Sequence, residues 1–299
     1  MPNDAITVEG GLFPAELLDD IAAGTGGVQG SVGGARDSHR LTDDIQSAFS
    51  DARVYWDGYQ RRLGRSEESR YTTLTRQDWM LKFLELVGFT HLPFQRTALE
   101  AGGQSYSISH RTGDYDNAPP VHIVGSDQGL DQRENTGRRI SPHALVQEYL
   151  NRAEPLWGLV TNGNQLRLLR DTARLSKPTY LEFNLQGMME GNQYSEFALL
   201  YRLIHSSHFP QPEVNPNECV LEKYYQEGLD QGGRVRDGLR KGVHDSLIEL
   251  GTAFLRHPES EVLRQKFAGG QLDSLGYYRQ LLRLVYRLLF LMVAEERHL

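Results

Sequence analysis

Residues 156–161 (LWGLVT) and 165–171 (QLRLLRD) are two short apolar runs joined by Asn162-Gly163-Asn164. An Asn-Gly pair between such runs favours the two-residue turn whose twist matches paired strands. This predicts an antiparallel hairpin. Further strands are expected at 105–110 (SYSISH), 120–126 (PVHIVGS) and 179–185 (TYLEFNL). Between them SPHALVQEYLNR reads as a helix, with Ser141 as its N-cap and Pro142 in its first turn.

Helical spacing also marks 12–23, 41–63 and 75–89. Leu41, Ile45, Phe49, Tyr55, Tyr59 and Leu63 form a broad stripe on the second. Trp79, Phe83, Leu84 and Val87 share a face of the third, and Gly88 stands where a helix C-terminus favours glycine. A glycine-rich stretch at 24–40 reads as a linker or loop. Beyond Pro210 the pattern turns helical. Val235, Leu239, Val243, Leu247, Leu250 and Phe254 recur at helical spacing, and Gly238 and Gly242 leave room for a second helix to approach. Residues 277–297 (YYRQLLRLVYRLLFLMVAEER) are apolar on most sides, which predicts a buried helix. The sequence ends directly after it, as a piece cut at a domain boundary does. No internal repeat is present.

The expected fold is an α/β domain, a mixed sheet with flanking helices, followed by an all-α connector. Its expected divisions are N-terminal helices with the glycine-rich linker at 1–70, the α/β domain at 71–210 and the helical connector at 211–299.

Of 299 residues, 39% are hydrophobic, enough for a substantial core. A mean hydropathy of −0.51 reads against a membrane protein. The longest apolar run, at 288–294, is too short to span a bilayer. No signal peptide is legible at the start. A single cysteine, Cys219, excludes an internal disulfide framework and suits the cytoplasm. The net charge of −7 is uneven: residues 1–50 carry eight acidic against two basic side chains, whereas 234–299 carry eleven basic against eight acidic. Nucleic-acid binding follows local patches, so the total does not exclude it.

No Walker loop, GxGxxG or CxxC occurs. His205 and His208 stand three apart on an expected helix, but no further ligand stands at metal spacing, so they read as ordinary helix histidines. A magnesium-dependent nuclease would need an Asp at one strand end and an acidic-x-Lys on the next. The acidic candidates are Asp114, Asp116, Asp127 and Asp131. The second strand, PPVHIVGSDQ, carries no acidic-x-Lys, and no lysine occurs between Lys82 and Lys177. Only a substitute such as Arg133 could fill that place. Arg279, Arg283 and Arg287 recur every four residues and form either a phosphate-contacting ridge or a polar stripe paired with a neighbour's carboxylates. Arg167, Arg170 and Arg174, after the hairpin turn, are the other candidate DNA contacts.

Longer words point to a family. ISPHALVQEYLNRAEPLWGLVTNGNQLRLLRD, YLEFNL and FALLYRLIHSSHF resemble the N-terminal region of large bacterial adenine-specific DNA methyltransferases. These belong to the type IIG-like restriction–modification and phage-defence group. RDGLRKGVHDSLIELGTAFL and YYRQLLRLVYRLLFLMVAEER look like the helical segment before their catalytic domain, and GLFPAELLDDI looks like their start. The resemblance spans most of the chain, with gaps at 24–70 and 90–118. It implies a PD-(D/E)XK-like front domain, with a Gln-x-x-x-Tyr-like helical element followed by a hairpin of the TNG kind. Here Gln147 and Tyr149 stand closer together than in that element, and HIVGSD occupies the place of the acidic-x-Lys. The nuclease-remnant candidates are therefore Asp114, Asp116, Asp127, Asp131 and Gln147, and the domain reads as degenerate.

The resemblance further implies S-adenosylmethionine for the catalytic domain. Neither its glycine-rich loop nor an Asn/Asp/Ser-Pro-Pro-aromatic loop occurs in these residues; NAPPVH has an inserted alanine and lacks the aromatic. The expected role is non-catalytic: support of double-stranded DNA engagement and packing on the methyltransferase domain, with other defence subunits as further partners and no membrane. The alternatives are an active magnesium-dependent endonuclease and a protein-interaction scaffold.

Overall fold

A computed structural model describes residues 5–24, 38–133, 140–172, 179–212 and 215–296. The chain divides into two compact units, Met1–Leu229 and Asp230–Leu299. No helix among the described residues is long and apolar enough to cross a membrane.

The first unit is built on a six-stranded mixed sheet. In chain order its first elements are β1 (Ile6–Glu9), α1 (Ala15–Ala23) and α2 (Ser38–Leu63). A helical run follows: α3 (Tyr71–Leu74), a π-helical stretch (Thr75–Met80) and α4 (Leu81–Leu86). Then come β2 (Leu99–Ala101), β3 (Gln104–Tyr106), β4 (His110–Arg111), β5 (Pro120–Ile123), α5 (Pro142–Leu150), β6 (Trp157–Thr161), β7 (Gln165–Arg170), β8 (Tyr180–Asn184), α6 (Leu185–Glu190) and α7 (Tyr194–Ile204). The strand order is β1-β8-β7-β6-β5-β4, with β2 and β3 forming a separate hairpin. Only β5 and β6 run parallel, which requires the α5 crossover between them.

Strand alternation gives the sheet two covered faces. Val121, Ile123, Trp157, Leu159, Leu166, Leu168, Leu181 and Phe183 lie in one core with α1, α2, α4, α6 and α7. Val160 and Leu169 point the other way, into a smaller core with Val146, Tyr149 and Leu150 of α5. The N-terminal helices at 1–70 thus share the main core of the α/β domain.

Ser141 caps α5 as expected, its Oγ accepting from the Ala144 N–H. Gly163 turns the hairpin at φ 84°. Gly88 closes α4 at φ 92°, and Phe89 N–H reaches back to the Leu84 carbonyl, the six-to-one bond of a glycine-terminated helix.

Three elements differ from expectation. β1 pairs with β8 as an additional edge strand, from Ile6↔Phe183 to Glu9↔Tyr180; four residues before a glycine pair carry too little pattern to announce themselves. The single strand expected at 105–110 is broken. Tyr106 ends β3, Ile108 N–H folds back onto the Tyr106 carbonyl, and only His110–Arg111 pair with β5. Ser109 is the cause: its Oγ donates to the Val121 carbonyl and accepts from Ile123 N–H, replacing the backbone ladder with a side chain. The helix expected at 75–89 is π-wound over its first six residues.

The second unit is helical: the distal turns of α8 (Val220–Arg256), then α9 (Glu261–Ala268) and α10 (Ser274–Glu296). Leu247, Leu281 and Val285 form its small core. The close approach expected at Gly238 and Gly242 falls elsewhere, since a Cβ at either would meet nothing within 4 Å. It occurs at Gly251, where a Cβ would stand 2.8 Å from Leu281 Cδ1 and where Tyr277 Oη donates to the Gly251 carbonyl at 2.8 Å. Nor is α10 buried as its composition suggests. Phe290 is 73% exposed, and Leu291, Met292 and Val293 are exposed too, because the contact of α10 with the core runs through Tyr277, Leu281, Leu282, Val285 and Leu289 and stops there.

Candidate functional site

The nuclease candidates fall at two ends of β5. Asp114 and Asp116 lie in the turn that enters it, and Asp127 and Asp131 in the segment that leaves it. The four residues of β5 rise about 13 Å at roughly 3.3 Å per residue, so the two pairs start from opposite ends of the strand. Asp114 is exposed and pairs with His91 Nε2 at 2.6 Å, and Asp116 and Asp127 are exposed. No group of three or more His, Cys, Asp or Glu that could hold a metal ion occurs among the described residues. His205 lies just past the end of α7, and its ring stands 6.2 Å from that of His208, edge to face. It caps the short turn Ser206–His208, whose last residue is buried.

Asp131 has a different task. Arg167, in the middle of β7, holds both its carboxylate oxygens at 2.7 Å and binds Glu182 Oε2 through Nε at 2.6 Å. Its guanidinium lies 4.4 Å from the Tyr180 ring centroid, and His143 Nδ1 stands 3.2 Å away. The Arg167 side chain is 5% exposed. Burial pulls its pKa down, but the hydrogen bonds to Asp131 and Glu182 outweigh burial and leave it above the ordinary value. In return the Arg167 hydrogen bonds hold the Asp131 carboxyl below its usual range. His143 is pushed down to about 4 by burial and then by Arg167.

Arg170 is used in the same way. It forks onto Glu222 at 2.8 and 3.0 Å and lies 3.9 Å from the Tyr225 ring centroid. Its carbonyl accepts from Gln147 Nε2 at 3.0 Å, so Gln147 ties α5 to the end of β7. Both hairpin arginines have their charge met inside the fold. Arg174 lies outside the described residues.

The remaining cations present the opposite picture. Arg279, Arg283 and Arg287 are exposed on α10 and have no ion pair among the described residues. One turn in four residues places them on one side of the helix about 6 Å apart. In the same unit a groove between α8 and α10 is lined by Arg236, Arg240, Lys241 and His244, with one acidic residue, Asp237, among them, and bordered by Tyr278 and Tyr286. The α8 cations went unread in the sequence because the apolar stripe dominates that segment; the legible signal was Arg236 and Arg240, one turn apart.

Compared with protein-family models, curated proteins and solved structures, the chain matches none.

Proposed function

We propose that this chain is the N-terminal, non-cleaving region of a site-specific adenine-N6 DNA methyltransferase of a restriction–modification or phage-defence system. It engages double-stranded DNA through its helical unit. The observation that carries the DNA half of this reading is the row Arg279–Arg283–Arg287, exposed and, among the described residues, without counter-ions. Cations of that kind gain most from phosphate, because binding releases condensed counter-ions at no cost in broken protein ion pairs. The basic, tyrosine-bordered groove adds to the same electropositive side chains. The α/β domain then serves as a scaffold: its candidate carboxylates are divided between two ends of a strand, and its buried arginines are neutralised.

The methyltransferase half rests on the word resemblance. S-adenosylmethionine belongs to the catalytic domain of such an enzyme, and this region contributes no group to the methyl transfer. The test is the coding sequence that follows residue 299. A glycine-rich loop and an Asn/Asp/Ser-Pro-Pro-aromatic loop are expected there, and a sequence with neither overturns this half.

A protein-interaction role is favoured by one observation, the exposed apolar stretch Phe290–Val293 on α10. A methyltransferase domain or a defence subunit covering that stretch is compatible with arginines on the remainder of the helix. Retention of DNA binding with the stretch covered separates the two roles.

A further inference from the structure

Three elements meet at the β4 edge of the sheet: the π-helical stretch, through Arg76; β4, through His110; and β5, through His122. Arg76 and His122 each contribute a nitrogen for which the protein supplies no acceptor. His122 is 7% exposed. Its Nδ1 accepts the Ser109 N–H at 3.3 Å, which places the ring proton on Nε2. That Nε2–H is buried without a partner, and so is the Nε–H of Arg76. Buried donors are ordinarily satisfied, and two unsatisfied donors in one neighbourhood require a reason.

Charge gives the same answer. Burial alone acts on Arg76, pulling its pKa down with no carboxylate to oppose it. Arg167 and Arg170 in the same domain each have a carboxylate, and Arg76 differs from both. His110 and His122 are pushed down to about 4, by burial first and then by the nearby Arg76. Both are therefore neutral at physiological pH; His110 spends its one N–H on Ser109 Oγ at 2.9 Å, whose own proton goes to Val121, and His122 keeps its Nε2–H free. Phe94 borders the cluster. Its ring centroid lies 5.0 Å from the Arg76 guanidinium carbon and 5.4 Å from that of His110, and it is 53% exposed. The cluster thus adjoins solvent on one side. π-helical turns recur where a side chain is re-aimed for a function.

We propose that Arg76 and His122, with the neutral His110 ring beside them, form an anion site that takes a phosphate-type oxyanion. The guanidinium fork offers two parallel donors. The imidazole Nε2–H arrives from a different strand and reaches a third oxygen. A tetrahedral oxyanion has that third oxygen, and a planar carboxylate does not. The ligand's source is free phosphate or the backbone of a nucleic acid. The proposal does not rest on the methyltransferase reading.

The test is ring-resolved NMR of the histidines in the whole chain, titrated with inorganic phosphate against sodium chloride at matched ionic strength. A saturable shift of the His110 and His122 rings by phosphate is expected. R76Q should weaken it by about tenfold or more. R76K, which keeps the charge but loses the fork, should fall between the two and carries the comparison should R76Q not fold. In a second arm the probe is a short DNA duplex. Response of the same rings at much lower concentration than phosphate assigns the site to a nucleic-acid backbone, and response to phosphate alone assigns it to the free ion. Silence of both rings towards phosphate and duplex, an equal response to chloride, or an unchanged affinity in the Arg76 variants would overturn the proposal.

Discussion

Trp79 Nε1 donates to the Gly163 carbonyl at 2.8 Å, across 84 positions of sequence. The bond pins the tip of the β6–β7 hairpin to the π-helical stretch, with Trp79 packed among Trp56, Tyr59 and Phe83. Gly163 has no room for more: a Cβ there would stand 2.7 Å from Thr75 Cγ2 and 3.2 Å from Trp79 Cδ1. The Gly163-Asn164 turn is therefore fixed by the helix beneath it as well as by strand twist.

G163A should lower unfolding free energy by about 2–3 kcal/mol, combining the left-handed backbone with the contact to Thr75. W79F leaves the Gly163 carbonyl without its donor and reduces the buried ring, at about 2 kcal/mol. Urea midpoints of the two variants, at unchanged m-value, check both.

R167M should cost about 2–4 kcal/mol, because Glu182, with a side chain 16% exposed, loses its cation. The exposed Asp131 adds little to that sum. Duplex affinity of the folded variant should equal that of the wild type, measured by fluorescence anisotropy. A loss of affinity in a folded R167M would mean that this arginine leaves its carboxylates for DNA.

Acid should unfold the protein between about pH 6.5 and 4. His110, His122, His143 and His208 are each held at about 4, in every case chiefly by burial. Released histidines titrate near 6.5, so in this window the unfolded chain binds more protons and stability falls with falling pH. Asp131 extends the loss. Its carboxyl is depressed by Arg167, so its contribution is present above the usual carboxylate value and disappears as pH drops through the folded one. Denaturation midpoints across the window should show a slope of more than one proton, and H208Q should make it shallower.

Glycine substitutions in the helical unit should carry opposite signs. G238A and G242A place a methyl in open space within a helix and should each stabilise by about 0.5–1 kcal/mol. G251A drives a methyl into Leu281 and should destabilise. Thermal unfolding of the three variants reads the sign directly.

Wild-type protein with magnesium or manganese should leave a supercoiled plasmid intact. Cleavage abolished by D127A would contradict the division of Asp114 and Asp116 from Asp127 and Asp131.

Strong local chemistry was legible in the sequence: the Ser141 cap, the hairpin at Asn162-Gly163-Asn164, the Gly88 terminus and the apolar runs of β6 and β7. Features set by distant partners were not. Nothing near Ser109 announces that its hydroxyl interrupts a strand, since its partners lie on β5. Arg167 and Arg170 read as surface cations because their carboxylates, Asp131, Glu182 and Glu222, stand 15 to 52 positions away. The apolar surface of α10 suggested burial, because composition records what a helix carries and not what covers it. The Arg76 cluster left no motif, as its members come from three elements.

The central claim is that the helical unit binds duplex DNA through Arg279, Arg283 and Arg287. Its most direct test is the dependence of duplex affinity on salt, for wild type and for R279Q/R283Q/R287Q. Wild type should bind at low salt and weaken steeply as salt rises. The triple variant should bind less tightly, with a log–log slope shallower by about 0.9 for each phosphate that is no longer neutralised. Absence of binding at low salt, or an unchanged slope in the triple variant, would contradict the account.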